Sequence, residues 1–318
     1  MVLLSLVVAV STMVAYLAII WWMDRYDREP IGLLLWNFLW GALGAIVLAV
    51  IYSVIVQAGV DALFRGVITR EIAGAIITAP VVEETMKGLF LFYTALDRRF
   101  DNVTDGAVYG AAIGLGFGMT ENFFYFLDAG SVDEWIVLVF VRTFFSAVMH
   151  GMATATFGAF VGFGKFQPTG TKGALVLTGL FIAITIHFIW NASLSFGSTA
   201  VFGILFIMLG LVATVMLFQI SLAFESKMIQ RELGEEAKNG VIPTKHLEYL
   251  PFTSRRNRVG WYPPHVDRGR YVRLATELAF RKDQSRRCAS RDREWYVAEI
   301  GVIRRKLSAL LYPTGLSA

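Results

Sequence analysis

Glu83, Glu84 and Lys87 stand in the middle of a stretch, about 72–96, that is otherwise long and apolar enough to cross a bilayer. Two carboxylates and an ammonium at that depth cost several kcal/mol even on lenient insertion scales. Groups so placed face a bundle interior or a water-filled cavity, and they mark a functional site. On a helix, Glu83 and Glu84 precede Lys87 by four and three residues, so both can reach its ammonium and pairing lowers the insertion cost.

Three further polar groups fall on the next three apolar stretches. Glu121 and Asn122 follow Phe117 by about one turn, and His150 has Thr154 one turn later and Arg142 two turns earlier. His187 shares a helical face with Asn191. Singly, each has a bland reading: a lone His or Asn bridges helices, Arg142 snorkels or balances carboxylates, and Glu-Glu-Lys locks a bundle as an ion pair. Their coincidence on four consecutive spans favours chemistry, because an unpaired set of this size is prohibitively costly in lipid.

Three carboxylates and two imidazoles that converge can activate water, either with a Glu as general base or with a divalent metal held by His and Glu. Both routes lead to hydrolysis. Asn191 or an imidazolium would then donate to the oxyanion of a tetrahedral intermediate. The chain has no GxSxG element, and its one cysteine, Cys288, lies far from the apolar spans among arginines, where it reads as a surface thiol.

The elements that must position these groups follow from composition. Of 318 residues 56% are hydrophobic and 17% charged, which excludes an ordinary soluble domain. Apolar runs at about 2–22, 31–56, 72–96, 103–127, 135–163, 173–195 and 198–223 predict seven helices. The fold class expected is therefore an all-α polytopic membrane bundle of about seven transmembrane helices with a small helical cytoplasmic tail. The bundle is expected over 1–224, with its core at 72–195, and the tail over 225–318. The first run lacks the basic flank of a signal peptide and reads as a retained span anchored by Trp21 and Trp22. In the fourth run Gly106, Gly110, Gly114 and Gly118 form three successive GxxxG steps, which predicts a central helix closely approached by a neighbour.

Positive charge sets the expected orientation. Arg25, Arg28, Arg98, Arg99, Lys165, Lys172 and the 19 Lys and Arg of the tail fall on one side, against Arg65 and Arg70 on the other. That asymmetry predicts a multi-pass cell-membrane protein with its N-terminus outside and its tail in the cytoplasm. Within the tail, helices are expected over 271–287 and 294–311. Its 19 basic against 11 acidic residues suit the bilayer's anionic headgroups, and with no nucleic-acid-binding motif alongside, nucleic acid is not an expected partner. The sequence sets no oligomeric state.

Glu83-Glu84-x-x-Lys87, Phe117-x-x-x-Glu121, His150 and His187-x-x-x-Asn191, in this order on consecutive helices, resemble the PrsW-type intramembrane proteases. This family belongs to a wider superfamily with the membrane CAAX prenyl endopeptidases. The resemblance covers about 72–191. It implies a membrane-embedded peptidase, glutamate-dependent or metal-dependent, that cleaves a single-span membrane protein such as an anti-sigma factor or another signalling protein. It implies Glu83, Glu84 and His150 or His187 as water activators or metal ligands, with Asn191 assisting. Glu121 belongs with the catalytic group, and Lys87, Asn122 and Arg142 support it. For a metal enzyme the implied ion is zinc, on His150, His187 and Glu84. Glu121 and Lys87 occupy places that the CAAX branch fills with His and Arg, so the likeness points to the PrsW branch. Without the resemblance, the residues would also suit a proton or cation relay, or a scaffold glued by ion pairs.

Overall fold

The computed structural model describes residues 1–64 and 69–313, and every regular element among them is helical. Arg65, counted above on the outer side, lies outside the described residues. The long helices are α1 (Val2–Met23), α2 (Ile31–Leu63), α3 (70–94), α4 (Val103–Leu127), α5 (Val132–Gly164), α6 (Thr169–Ser195) and α7 (Ala200–Lys238). Three of their starts follow local capping chemistry. The side chains of Thr69, Asn102 and Ser131 each accept a hydrogen bond from the backbone N–H three residues on, opening α3, α4 and α5.

Three of the long helices are not uniform. π turns interrupt α2 at Trp40–Ala45, α3 at Gly74–Thr78 and α5 at Arg142–Ser146. Each inserts one residue into the helical count and rotates the later part of its helix by about 100° relative to the earlier part.

Among the described residues, five helical segments are long and apolar enough to cross a membrane: Val2–Met23, Ile31–Leu63, Val132–Gly164, Thr169–Ser195 and Gly197–Lys238. Seven were expected. The two outside this group, α3 and α4, carry Glu83, Glu84, Lys87, Asp105, Glu121 and the glycine stripe, which lower their mean hydropathy. The seventh run extends to Lys238, well past the expected end near 223, because the helix formers of 224–238 continue it until Gly240 turns the chain at φ 73°.

The chain divides into two compact units, one of residues 1–23 and 29–218 and the other of 24–28 and 219–318. In the first, α4 is buried along nearly its whole length. A Cβ at Gly106, Gly110 or Gly114 would land on the carbonyls of Gly158, Thr154 and His150 of α5, so the stripe lets two backbones meet beside the polar residues. Gly116, on another side of α4, meets Phe38 of α2 in the same way.

The second unit is built on α8 (Arg268–Arg287) and α9 (Ser290–Leu311), both longer at their starts than expected; at α8 the Asp267 side chain caps the Arg270 N–H. Leu233, Trp261, Tyr271, Leu278, Ile303 and Leu307 form its core. Glu236 pairs with Lys282 and Arg304, each at 2.7 Å. Cys288 is not the surface thiol expected: it is buried at the end of α8, where its N–H bonds the Gln284 carbonyl.

His246 is also wholly buried in this unit, 2.8 Å from the Tyr271 hydroxyl through Nδ1 and with no partner on Nε2. Burial lowers its pKa from 6.5 to about 4. Between those values the unfolded chain takes up a proton that the folded unit refuses. Stability is therefore fully present above pH 6.5 and falls as pH drops toward 4. Hydrogen exchange over 268–311, corrected for intrinsic rates, should show less protection at pH 5 than at pH 7.5, and His246→Gln should flatten the difference. Equal protection at both pH values in the unsubstituted protein would contradict this.

Candidate active site

Glu83, Glu84 and Lys87 follow the π turn of α3 by about one and a half to two and a half turns of helix, and that turn has a cause in the sequence. Pro80 has no N–H to give to the preceding turn. The Ala79 N–H bonds Gly74 O in the wider π register, and Pro80 follows it at the start of the regular helix. Gln57 of α2 braces the turn, accepting from the Thr78 hydroxyl at 2.6 Å and donating to Asp61 at 2.7 Å and to the Arg70 carbonyl at 3.3 Å. Gln57 and Thr78 were not singled out from sequence. Their signal was an amide near the end of an apolar helix and a proline ahead of the carboxylates.

Glu84 is completely buried and fully engaged. Its Oε1 accepts from Lys87 Nζ at 2.7 Å and from His187 Nδ1 at 3.0 Å, while Oε2 accepts from the Thr154 hydroxyl at 3.1 Å. The His187 proton therefore sits on Nδ1 and leaves the Nε2 lone pair bare. Glu83 differs: its side chain is 13% exposed, and Oε2 is buried without a hydrogen-bond partner, 3.6 Å from Lys87 Nζ and 3.9 Å from His187 Nε2. A gap of 3.9 Å is too long for a hydrogen bond. One water or one metal ion could bridge it.

Lys87, with no exposed surface, lies 4.1 Å above the Phe117 ring and donates to His150 Nδ1 at 2.9 Å. With Nδ1 accepting, His150 carries its proton on Nε2 and donates to Glu121 at 2.6 Å. Arg142 pairs with the same Glu121 oxygen at 2.6 Å, donates from Nε to Asn122 Oδ1 at 2.8 Å and covers the Tyr125 ring at 3.7 Å. Asn122 returns a bond to the Arg142 carbonyl at 3.3 Å. The two imidazoles lie edge to face with centroids 5.0 Å apart.

The structure thus gathers Glu83, Glu84, Lys87, Glu121, His150 and His187 into one cluster, with Asn122 and Arg142 behind Glu121. Asn191 stands apart. Its amide donates at 2.8 Å to the carbonyl of Ala75, in the π turn.

Glu83, His150 and His187 each offer a ligand atom within 4.8 Å of the others, so they could hold a metal ion. This group differs from the one implied by the resemblance in its carboxylate: Glu84 is taken by three donors, and Glu83 holds the unpartnered oxygen. His187 Nε2 and Glu83 Oε2 are open donor atoms that fit an ion. His150 fits once it releases Lys87 or Glu121, since both its nitrogens are engaged.

Fold and cluster define a membrane helix bundle with a Glu/His/Lys centre at its interior. Residues 29–220 match the PrsW family intramembrane metalloproteases, and the chain belongs to this family. Curated relatives named Protease PrsW agree. The one from Geobacillus kaustophilus is 29% identical over 154 residues, which are 48% of this chain and 63% of that protein. The one from Bacillus subtilis is 23% identical over 175 residues, covering 55% and 75%. The one from Oceanobacillus iheyensis is 27% identical over 184 residues, covering 57% and 79%. No solved structure matches the chain. Family membership leaves the relay reading without support.

Proposed function

We propose that this protein hydrolyses a peptide bond of a single-span membrane protein, in or next to the lipid phase, as a step in regulated proteolysis of an anti-sigma factor or similar signalling protein. The observation that carries this reading is the facing pair of Glu83 Oε2, buried without a partner, and His187 Nε2, 3.9 Å away and made bare by Glu84. Glu83 takes the proton of a water held between them. Glu84 orients His187, as a carboxylate behind a catalytic or ligating histidine does. Lys87 pairs with Glu84 and fixes the His150 tautomer, and Arg142 with Asn122 holds Glu121 against His150. A zinc ion on Glu83, His187 and His150 would supply Lewis acidity that brings the pKa of its water to near 7.

In this reading α3 and α4 also cross the membrane, giving seven spans, because their polar residues are covered by the other helices. The tail over 225–318 is cytoplasmic, against anionic headgroups, and the N-terminus is outside. At about 1.5 Å per residue, Glu83 then lies roughly 15 to 20 Å from the outer end of α3. Cleavage should fall in the outer half of the substrate's span or just beyond it. Product termini of a single-span substrate, mapped by mass spectrometry alongside metal analysis of the purified protein, test this. Cuts confined to the cytoplasmic side would overturn the orientation or the site, and no cleavage would remove the protease reading.

A further inference from the structure

Asn191 lies one turn past His187, where an oxyanion donor would be sought, yet its amide is bound to the backbone of α3. The carbonyl it holds belongs to Ala75, and the helix does not satisfy that carbonyl in the register it adopts. In the α register its donor is the Ala79 N–H, which goes to Gly74 O instead. In the π register the donor is the N–H of residue 80, and residue 80 is proline. Ala75 is exposed, and where the hydrocarbon of a bilayer covers it no water meets the orphaned carbonyl. A neighbouring helix must supply the donor, and α6 does so with Asn191.

We propose that Asn191 is a positioning residue: it caps the Ala75 carbonyl that Pro80 leaves without a donor, and so holds the π turn that sets the rotation of Glu83 and Glu84 toward His187. Two amides brace this turn from opposite neighbours, Gln57 of α2 through Thr78 and Asn191 of α6 through Ala75. His187 and Asn191 share one face of α6, so the helix that presents the imidazole also clamps the segment presenting the carboxylates. Losing the clamp lets the turn relax toward an uninterrupted helix, with a phase change of about 100° for the residues beyond it.

Residues 80 and 191 should therefore be coupled, since an alanine at 80 has an N–H for Ala75 O. The test compares the unsubstituted protein, Asn191→Ala, Pro80→Ala and the double variant, by unfolding in detergent and by turnover of a single-span substrate well below each unfolding midpoint. Asn191→Ala should lower the folded-to-unfolded ratio about 10- to 100-fold, the cost of a carbonyl left unsatisfied away from water, and cut kcat at least about tenfold by the same displacement. In the Pro80→Ala background the same substitution should change both by no more than about twofold. If Asn191→Ala fails to accumulate, the double variant should restore accumulation.

Equal stability losses in both backgrounds, or no restoration, would overturn the proposal. So would an equal loss of kcat in both backgrounds with unchanged midpoints, the signature of an amide acting on the oxyanion. The turnover arm rests on the protease reading. The stability arm does not, so failure of that reading is distinguishable from failure of this one.

Discussion

Glu83→Gln should lower substrate cleavage about 10²- to 10⁴-fold, the usual contribution of a general base, while leaving the unfolding midpoint within about one degree. The two effects separate because of how Glu83 is held. Its Oε2 accepts no hydrogen bond, and Lys87 keeps its closer partner, Glu84 at 2.7 Å, when the 3.6 Å contact to Glu83 goes. An amide of the same shape therefore removes the base and orphans nothing. Glu84→Gln should behave differently and lose both activity and stability, since a neutral amide leaves the buried Lys87 ammonium without its 2.7 Å counter-charge. Near-normal cleavage by Glu83→Gln would end the assignment of the facing pair. Equal loss of stability in both variants would mean that the two carboxylates share one structural role.

Lys87→Met should be the most damaging single change to the fold, costing about 3–5 kcal/mol, as when one partner of a buried ion pair is removed. The ammonium is the only positive charge within 4 Å of Glu84 among the described Lys and Arg residues, and it also donates to His150 and covers Phe117. Met keeps the length and the contact with the ring but leaves the buried Glu84 carboxylate without its counter-charge, with only His187 and Thr154 donating to it. Unfolding midpoints and yield of folded protein measure the loss, and adding Glu84→Gln to Lys87→Met should recover a large part of it. A Lys87→Met protein as stable as the parent would show that the ion pair is not part of the structural core.

The all-helical bundle and the pairing of Glu83 and Glu84 with Lys87 were legible from sequence because they depend on local spacing alone. Apolar run length sets a helix's existence in a membrane protein, and separations of three and four residues put side chains on one surface whatever surrounds them. The GxxxG stripe was legible for a related reason. Removing Cβ atoms along one face of α4 permits a close neighbour, and the structure brings α5 there, with His150 and Thr154 on the contact line.

The division of labour within the cluster was not legible. The sequence treats Glu83 and Glu84 as equivalent, and likewise His150 and His187; tertiary structure separates them. Glu84 saturates on donors from three helices and Glu83 keeps an open oxygen, while His150 is spent between Lys87 and Glu121 and His187 keeps an open nitrogen. Asn191, next to His187 by any helical count, is drawn to Ala75 by a proline in another helix. The physical reason is phase. Contacts between helices depend on how each is rotated about its axis, and the π turns at Trp40–Ala45, Gly74–Thr78 and Arg142–Ser146 shift that rotation by an amount that 3.6-residue periodicity does not carry. Sequence determined which residues lie on which helix and the pairs within a turn, and only the packed bundle decided which oxygen and which nitrogen were left to face each other.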